Sequence, residues 1–539
     1  MKTENLITRR KAAILALIVL LGLALRLNGL GRVGFNEDEI NKVEAARAYL
    51  HGDFSMNLEH PMLMKSLIAV SLGASQWWNR DLGKSYVIPD EVAVRLPNVI
   101  FGSLTSLVLF LFAQEFFGVG VGLLSGFLWA SGILEIGINR IAKEDTLLVF
   151  FTWLAYYFYV HAKHLAVSEV RLASKYFAAT GACFGLMLAS KYFPSYLGLI
   201  FLYFWLFGGR LNDRQSRPRD LILLFGTLGL VFLAANPTVL LPSTWQYMLR
   251  YIQNPAPSHR MYLMMGRYRY EDLHHFLSGM PPYFYLLFLA IKTPLPILAA
   301  FLAGLAVFIR RRREPGPSFI LFMFLLWIVP YSILSAKWLR YMLSCMPAVT
   351  IIAATGLVKG FSWLSALKRQ HPHRAFALVG LSAFAVVFFV VPFWAAIKAA
   401  PFYSLYQNSL ASQPAGYYFP HDELNDAGLD LAIKQICAQA PHGAIVGGES
   451  QTVAKLFNYY FHRYGRDDLR YVQIKNDMTI SKASDPYLVI SNARRYEDNA
   501  ALIRELELNP RPGWIVKVAG VTATEVFHPQ ELAQLRSSP

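Results

Sequence analysis

The stretch AAILALIVLLGLALRLNGLGRVGFNEDE (residues 12–39) passes from an apolar segment directly into a cluster of three acidic residues. About 20 consecutive apolar residues are enough for a helix to cross the hydrocarbon core of a bilayer. The segment 12–30 follows basic residues and lacks an evident small-residue cleavage site, so we interpret it as a retained first span rather than a signal peptide. Because carboxylates at a membrane edge are costly, Glu37, Asp38 and Glu39 indicate a surface with a function.

The composition of the whole chain extends this interpretation. Of its 539 residues, 55% are hydrophobic and only 16% are charged, whereas a soluble domain carries about 25% charged residues. The repeated apolar runs therefore predict an α-helical polytopic membrane protein with about eleven spanning helices. The predicted spans are 12–30, 93–114, 118–138, 146–163, 175–190, 194–209, 220–241, 281–309, 317–334, 342–360 and 375–397.

The net charge of +16 is concentrated in short loops between the apolar runs. This distribution follows the positive-inside rule and predicts a multi-pass protein of the cell (plasma) membrane with a cytoplasmic N-terminus. It also favours contacts with anionic membrane lipids and argues against nucleic acid as a partner. The basic clusters are Arg9 to Lys11, Lys163 to Lys175, Arg210 to Arg219, Arg310 to Arg313 and Lys359 to Arg374.

With this orientation, the polar segments that carry the most informative side chains all fall on the outer face. In the first of them we expect surface-lying helices over 39–50 and 62–72, the second opened by Pro61. The outer segments are 31–92, 139–145, 190–193, 242–280 and 335–341.

The composition changes near residue 405, where short β-like runs begin to alternate with helical stretches. We therefore predict a transmembrane domain over 1–404 and a soluble extracytoplasmic α/β domain over 405–539. The expected role of this second domain is to pack on the membrane part rather than to hold a second active site. The predicted strands are 444–446, 469–474, 487–490 and 514–518, and the predicted helices are 429–439, 451–463 and 500–506.

The cysteines and histidines give little support for a metal or a disulfide. The three cysteines are isolated in the sequence and show neither a disulfide framework nor thiolate spacing. No metal site or other cofactor is predicted. His60 and the pair His274-His275 leave a divalent metal open, although they lack a ligand spacing typical of one.

The acids after the first span suit general-base chemistry. A hydroxyl acceptor is a poor nucleophile until a positioned base removes its proton, and Asp38 or Glu39 is placed to do so. We expect each carboxylate to raise the proton affinity of its neighbour. The competing interpretation is structural: Asn36 or Asp38 caps a helix that carries acids in its first turn.

Several cations in the outer segments suit the binding of an anionic leaving group. Lys65 lies about one turn into the helix opened by Pro61, and Arg140 is able to clamp a phosphate bidentately. Asp145 would hold a sugar substrate or orient Arg140. The alternatives are a lysine that reaches to the headgroups and an ion-paired loop cap. Further candidates, each of which also suits an interfacial anchor, are His60, Lys191, Lys337, Arg340 and Tyr341.

These residues, in this order, resemble the polyprenyl- or dolichyl-phosphate-sugar-dependent glycosyltransferases of the protein O-mannosyltransferase-like group, which have the GT-C fold. The resemblance covers about residues 10–400. It rests on Phe35…Asp38-Glu39, Gly52-Asp53-Phe54…Glu59-His60-Pro61…Lys65, Arg95-Leu96-Pro97, Arg140…Asp145-Thr146-Leu147-Leu148, Ser190-Lys191-Tyr192 and Lys337…Arg340-Tyr341…Pro347.

The resemblance implies an inverting transfer of a mannose-like hexose or related sugar from a polyprenyl-phosphate carrier to a hydroxyl acceptor. The acceptor would be a protein Ser or Thr, lipid A or a surface glycan. Asp38 would be the general base with Glu39 as its close partner. Lys65, Arg140 and Arg340 would contact the carrier phosphate, and Asp145 would line the site.

The sequence also departs from the family pattern in two places. Met62 follows His60-Pro61 where a second proline is common, and the later loops lack an inserted lectin-like domain that would point to a protein acceptor. The alternative function is a secondary transporter or lipid flippase, but mid-span charges are few and the two halves are not similar. A third interpretation, an assembly scaffold, explains the C-terminal domain but not the buried cations.

Overall fold

The computed structural model describes residues 2–83, 86–165, 169–193, 195–207, 217–253, 261–270, 277, 279–370, 374–474, 486–508 and 512–528. The N-terminal three quarters of the chain are mainly helical. The helices of this part are α1 (Lys2–Leu27), α2 (Glu37–Leu50), α3 (Met62–Asp81), α4 (Asp90–Phe117), α5 (Val119–Ser131), α6 (Ile133–Asn139), α7 (Asp145–His164), α8 (Val170–Ser190), α9 (Ser195–Phe207), α10 (Pro218–Ala235), α11 (Pro242–Gln253), α12 (Phe284–Lys292), α13 (Leu295–Arg310), α14 (Pro315–Ile333), α15 (Met346–Gln370), α16 (Arg374–Ala385) and α17 (Val391–Ala399).

Long apolar helices make this a multi-pass membrane protein. In the described parts of the chain, seven helices are long and apolar enough to cross a bilayer, or eight if α5 and α6, bent by 58° at Gly132, form one span. Two shorter apolar helices, α9 and α13, add to these. The seven are Arg9–Arg32, Asp90–Phe117, Val170–Ser190, Pro218–Ala235, Pro315–Ile333, Met346–Ala366 and Val379–Ala399.

Helices occupy all of the predicted spanning segments, but not all of them as single spans. The segment 281–309, predicted as one span, is two helices separated at Thr293-Pro294. Proline lacks a backbone N–H and clashes with the preceding turn, so it starts α13 instead of continuing α12. The predicted span 118–138 is also divided, here by the bend at Gly132 between α5 and α6.

The two predicted surface helices are present as α2 and α3, outside the candidate spans. Helix α2 begins with a capping box, in which Asn36 Oδ1 accepts from the Glu39 N–H (2.9 Å) and Glu39 Oε2 accepts from the Asn36 N–H (3.2 Å). This reciprocal pair satisfies two backbone donors at the helix start. Of the two helix caps that the sequence suggested, Asn36 is therefore the one present, and Asp38 does not cap the helix.

A buried arginine fixes the bent pair α5 and α6 against α1. The Arg26 guanidinium is fully buried and donates to Asn139 Oδ1 from Nε (3.1 Å) and Nη2 (3.0 Å), and to the carbonyl of Ala130 from Nη1 (3.1 Å). Asn139 in turn donates to Thr146 Oγ1 in α7 (3.0 Å). Since an unpaired buried charge is very costly, this network holds the turn 140–144 in one place.

The C-terminal part is an α/β domain, as predicted. Its sheet has the order β4-β3-β5-β7-β6, with β3, β4 and β5 parallel and β6 and β7 antiparallel to their neighbours. The elements are α18 (Pro420–Leu424), α19 (Leu429–Gln439), β3 (Ile445–Gly448), α20 (Ala454–Arg463), β4 (Arg470–Gln473), β5 (Tyr487–Ser491), α21 (Ala500–Leu508), β6 (Trp514–Val518) and β7 (Val521–Phe527).

Sequence reasoning missed three strands. Strand β7 follows β6 through Ala519 and Gly520, whose φ angles are 47° and 82°, the backbone of a tight hairpin turn. A separate hairpin, β1 (Met261–Met264) and β2 (Arg267–Tyr270), lies in the predicted outer segment 242–280 and contacts the C-terminal domain through the Leu263 N–H and the Arg495 carbonyl (2.9 Å).

The C-terminal domain packs directly on the loop that follows α1. The Tyr460 hydroxyl accepts from the Phe35 N–H (2.9 Å), and the Tyr459 hydroxyl donates to Asp90 (3.0 Å). At Gly34 the backbone is so close to α19 that an added Cβ would lie 2.5 Å from the Cβ of Asp430, so only glycine fits. One hydrophobic core runs through both parts of the chain.

Candidate active site

Three segments that are far apart in the sequence meet at Asp38. Its Oδ1 lies 2.8 Å from Lys143 Nζ, in the turn between α6 and α7. Its Oδ2 lies 3.7 Å from Arg340 Nη1, in the turn between α14 and α15. The predicted outer segments 31–92, 139–145 and 335–341 therefore converge on one carboxylate.

An open cavity of roughly 1070 Å³, mouth included, surrounds this carboxylate. Its polar wall carries Asp38 together with Arg140, Lys143 and Arg340, and its apolar wall comes mainly from α6 and the segment 401–403. The C-terminal domain closes one side with Asp422, Leu424, Asn425 and Ala427. Sequence reasoning missed Lys143 and Asp422. Lys143 adjoined the predicted residues in the sequence, whereas nothing in the sequence linked Asp422 to them.

The neighbours of Asp38 keep its carboxylate ionised. Burial by itself would raise its pKa, but Lys143 and then Arg340 outweigh that effect and hold the pKa well below its usual value. The net shift of the Asp38 pKa is therefore opposite in direction to the rise expected from a neighbouring carboxylate. Two close cations decide the charge state of Asp38.

Glu39 forms part of the cavity wall, but its carboxylate is already saturated. It is fully buried and forms a bidentate pair with Arg95, with 2.7 Å from Nε to Oε1 and 2.6 Å from Nη2 to Oε2. Oε1 also accepts from the Ala142 N–H (2.9 Å). The catalytic role of Glu39 stays a prediction; in the structure its side chain ties α2 to α4 and to the turn before α7.

Arg140 keeps an unused donor at the cavity. Its side chain is buried, Nη1 donates to the Asn28 carbonyl (2.5 Å), and the guanidinium lies 5.1 Å from the centre of the Tyr403 ring. In the described structure its Nη2 is buried without a hydrogen-bond acceptor. Because such a donor is costly to leave unpaired, Arg140 is suited to receive an anion.

Arg340 links the cavity to a second acid. Its guanidinium lies 5.4 Å from the centre of the Trp338 ring and 5.6 Å from that of Tyr341. Burial by itself would lower its pKa, but Asp38, Tyr341, Asp145 and Asp422 together raise it. Among these, Asp422 lies on the cavity wall and its Oδ1 accepts from the Leu339 N–H (3.1 Å).

A separate group of three residues lies near Arg340 but outside the cavity wall: Asp145, Lys191 and Tyr341. Lys191 Nζ lies 2.7 Å from Asp145 Oδ1 and 4.7 Å from the centre of the Tyr341 ring. None of the three belongs to the cavity wall. The structure thus places Asp145 near Arg340, but not where it would touch a molecule in the cavity.

Lys65 and His60 belong to a cluster next to the cavity, which we call the closed cluster and define as Lys42, Glu144, Lys65, His60 and Asn57. The side chains of Lys42, Glu144 and Lys65 are buried, whereas those of Asn57 and His60 are half-buried. Lys65 is fully buried, and its Nζ donates to the carbonyls of Asn57 (2.5 Å) and His60 (2.9 Å). Lys42 Nζ lies 2.7 Å from Glu144 Oε1. Burial lowers the pKa of Lys65 to about 7, with Lys42 adding to the effect. The prediction that Lys65 faces the phosphate site is therefore not met in this structure.

The remaining predicted cation, Lys337, lies away from the cavity. Lys337 is buried, and its Nζ donates to the carbonyls of Met280 (3.1 Å) and Leu334, away from the cavity wall. Within the described residues no group of three metal-ligating side chains lies together. His274 and His275 lie outside the described residues.

Comparison with known proteins agrees with this architecture. Residues 85–242 match the dolichyl-phosphate-mannose-protein mannosyltransferase family. The structure is similar to ArnT from Cupriavidus metallidurans bound to undecaprenyl phosphate, at 13% identity and a TM-score of 0.52, covering 98% of this chain and 99% of that one. No curated protein matches the sequence.

A second similar structure is the archaeal oligosaccharyltransferase AglB from Archaeoglobus fulgidus, in complex with an inhibitory peptide and a dolichol-phosphate. It is 11% identical, with a TM-score of 0.53, over 89% of this chain and 69% of that chain. At such identities the likeness shows the fold. The chain has the GT-C fold with a C-terminal α/β domain, as its motifs predicted.

Proposed function

We propose that the protein is an inverting membrane glycosyltransferase that moves a sugar from a polyprenyl-phosphate carrier to a hydroxyl acceptor. The observation that carries this proposal is the ionised Asp38 carboxylate facing one cavity together with Arg140, Lys143 and Arg340. One base and three cations at a membrane edge suit a reaction in which a hydroxyl loses a proton and a phosphate departs.

The reaction follows from these positions. The acceptor oxygen forms a bond to the anomeric carbon while the bond from that carbon to the phosphate oxygen breaks. The acceptor proton passes to Asp38, and the electron pair of the broken bond leaves with the phosphate, whose charge the cations stabilise. Attack from the face opposite the phosphate inverts the anomeric centre.

The same cations tune the base. While Lys143 and Arg340 pair with Asp38, they keep its pKa low and make it a weak proton acceptor. A phosphate that binds to Lys143, Arg140 and Arg340 would share these charges and so raise the proton affinity of Asp38. Donor binding would thereby make Asp38 a stronger proton acceptor, and only when the leaving group is in place.

The similar proteins support the class of donor and acceptor. One of the structures holds undecaprenyl phosphate, and another holds dolichol-phosphate with a peptide. The matching family takes mannose from a dolichyl-phosphate carrier to protein. For this chain we propose a mannose-like hexose or related sugar, with a protein Ser or Thr, lipid A or a surface glycan as the acceptor.

We further propose that the protein lies in the plasma membrane with its N-terminus in the cytoplasm and the C-terminal domain outside. The positively charged loops between spans support this orientation. The C-terminal domain contacts the same surface that carries Asp38, so both would face the outer leaflet.

The experiment is a transfer assay combined with an analysis of bound lipid. Purified protein is extracted and its lipids are identified by mass spectrometry, and transfer from the polyprenyl-phosphate sugar found is measured for the wild type and for Asp38→Asn. We expect a loss of about 10²–10⁴-fold, the usual contribution of a general base. Asp53→Asn, an exposed acid of the same outer segment, is the matched control and should keep wild-type transfer.

Wild-type transfer by Asp38→Asn would remove Asp38 from the base role. Gradient-driven solute uptake by proteoliposomes, without any covalent transfer, would instead favour the transporter.

A further inference from the structure

A buried ion cluster joins the C-terminal domain to the first turn of α2. Arg494 follows β5, and its guanidinium donates to both oxygens of Asp426, from Nε to Oδ1 (2.8 Å) and from Nη2 to Oδ2 (2.8 Å). Nη2 also donates to Glu37 Oε2 (2.8 Å). Arg494 is 2% exposed and Asp426 is 5% exposed, so their pair is an interior contact, whereas Glu37 lies at the rim of the cluster and is 31% exposed.

The cluster holds the backbone as well as the side chains. The Glu37 N–H donates to Asp426 Oδ2 (3.1 Å), so the carboxylate of Asp426 binds Arg494 and the start of α2 together. On the other side of Asp38, the buried Glu39 is fixed by its bidentate pair with Arg95. Asp38 thus lies between two residues whose positions are set by separate ion pairs.

The same segment of the C-terminal domain reaches the opposite wall of the cavity. Asp422 accepts from the Leu339 N–H, the residue next to Arg340. Asn425 and Asp426 have φ angles of 44° and 63°, the left-handed backbone that Asn and Asp adopt more readily than other non-glycine residues. Asn425 ends α18 with this backbone, so the turn that carries Asp426 follows directly from the helix that carries Asp422.

Arg494 follows the carboxyl end of β5, which is a second indication that it has a functional role. In sheets with parallel strands, ligands bind at the carboxyl ends of the strands, where the strand order reverses. Here that end of β3 and β5 carries buried polar groups, with Glu449 Oε1 accepting from the Ser491 N–H (2.8 Å). Arg494 extends from this end of the sheet to Glu37. The first turn of α2 therefore contacts the end of the sheet at which ligands bind in related sheets.

We propose that the C-terminal domain is a working part of the active site, in which Arg494 acts as a positioning residue that fixes the Asp38 carboxylate through Asp426 and Glu37. The inference rests on the proposed function, because its readout is sugar transfer. Arg494 does not line the cavity, so its effect passes through Asp38 and not through contact with the substrate.

The test compares Arg494→Gln with Lys455→Ala. Lys455 forms another ion pair between the C-terminal domain and α2, 2.7 Å from Glu44, but both side chains are exposed and lie away from the first turn. For Arg494→Gln we expect kcat to fall about 10- to 100-fold with a donor KM within about threefold of wild type, since small displacements of a reacting group cost rate. Lys455→Ala should retain wild-type kcat and KM.

A second pair of variants separates positioning from a general loss of structure. Glu37→Gln leaves Arg494 paired with Asp426, so it tests the same contact if Arg494→Gln fails to fold. In an Asp38→Glu background, whose carboxylate is already displaced, Arg494→Gln should cost less than in the wild type, because residues that act through one another are not additive.

Three results would overturn the inference: wild-type kcat in a folded Arg494→Gln or Glu37→Gln, an equal loss in Lys455→Ala, or full additivity with Asp38→Glu. A wild-type protein that transfers no sugar would instead refute the proposed function, so the two failures are distinguishable.

Discussion

The cavity around Asp38 and the closed cluster around Lys42 are built from the same two elements, α2 and the turn 140–144, yet they differ in how far their side chains are exposed. Asp38 and Lys42 lie one turn apart on α2, and Lys143 and Glu144 are consecutive. One pair, Asp38 with Lys143, opens to a cavity. The other pair, Lys42 with Glu144, is buried, with each side chain 1–2% exposed.

The difference in exposure predicts different roles for the two sites. In the closed cluster the ammonium of Lys65 donates to three backbone carbonyls, those of Met56, Asn57 and His60, so its three donors already have acceptors. In the cavity Arg140 has a buried donor without an acceptor, and Asp38 is partly exposed. We therefore expect changes in the closed cluster to reduce stability and changes in the cavity to reduce turnover.

The largest expected effect is on stability, in the closed cluster. Lys42→Met leaves the Glu144 carboxylate buried without its partner, and we expect the free energy of unfolding to fall by about 3–5 kcal/mol. The measurement is unfolding in detergent. The double variant Lys42→Met with Glu144→Gln should recover most of the loss, because no uncompensated charge remains.

An exposed ion pair on the same helix provides the control. Arg47 Nη2 lies 2.7 Å from Asp90 Oδ2, with Arg47 44% exposed, and such surface pairs contribute about 0–1 kcal/mol. A loss in Arg47→Ala as large as that in Lys42→Met would show that burial does not distinguish the two pairs.

The next effect is on turnover, in the cavity. Arg140→Ala should lower kcat by about 10²–10³-fold, the usual cost of removing one group that stabilises developing charge. Its unfolding midpoint should change less than that of Lys42→Met. Wild-type kcat in Arg140→Ala would place Arg140 among the structural cations, together with Lys65.

The smallest expected effect is the pH dependence contributed by Lys65. Its pKa is about 7 in the folded protein, against 10.5 for a free lysine. Between these values the unfolded chain binds more protons, so the free energy of unfolding rises with pH in this window. The destabilisation by Lys65 is thus fully present below pH 7 and is relieved as pH approaches 10.5.

The measurement is unfolding in detergent at pH 7.5 and 9.5 for the wild type and Lys65→Met. One group contributes at most about 1.4 kcal/mol per pH unit, so over these two units we expect the wild type to gain about 2–3 kcal/mol more than the variant. Equal slopes in the two proteins would contradict the burial of a charged Lys65.

Sequence reasoning found the elements better than the contacts. Apolar runs of spanning length and the alternation of short strands and helices are local patterns, and they predicted the helical membrane part and the C-terminal domain. Asp38, Arg140 and Arg340 were predicted from residue type and from the family resemblance, and the structure places them on one cavity. Lys65 and Glu39 were grouped with them because residue type does not show which polar groups are already paired.

The sequence by itself determined that this is a multi-pass membrane protein and that its ionisable residues are concentrated in a few loops, because hydrophobicity and segment length are properties of the chain. Only the tertiary structure decided which of these residues face a cavity. Asp422 and Arg494 lie hundreds of residues from Asp38, and no local pattern relates them. Pairing and burial arise when distant segments pack. They leave the Asp38 carboxylate open to the cavity, whereas the donors of Arg95 and Ala142 surround that of Glu39 beside it.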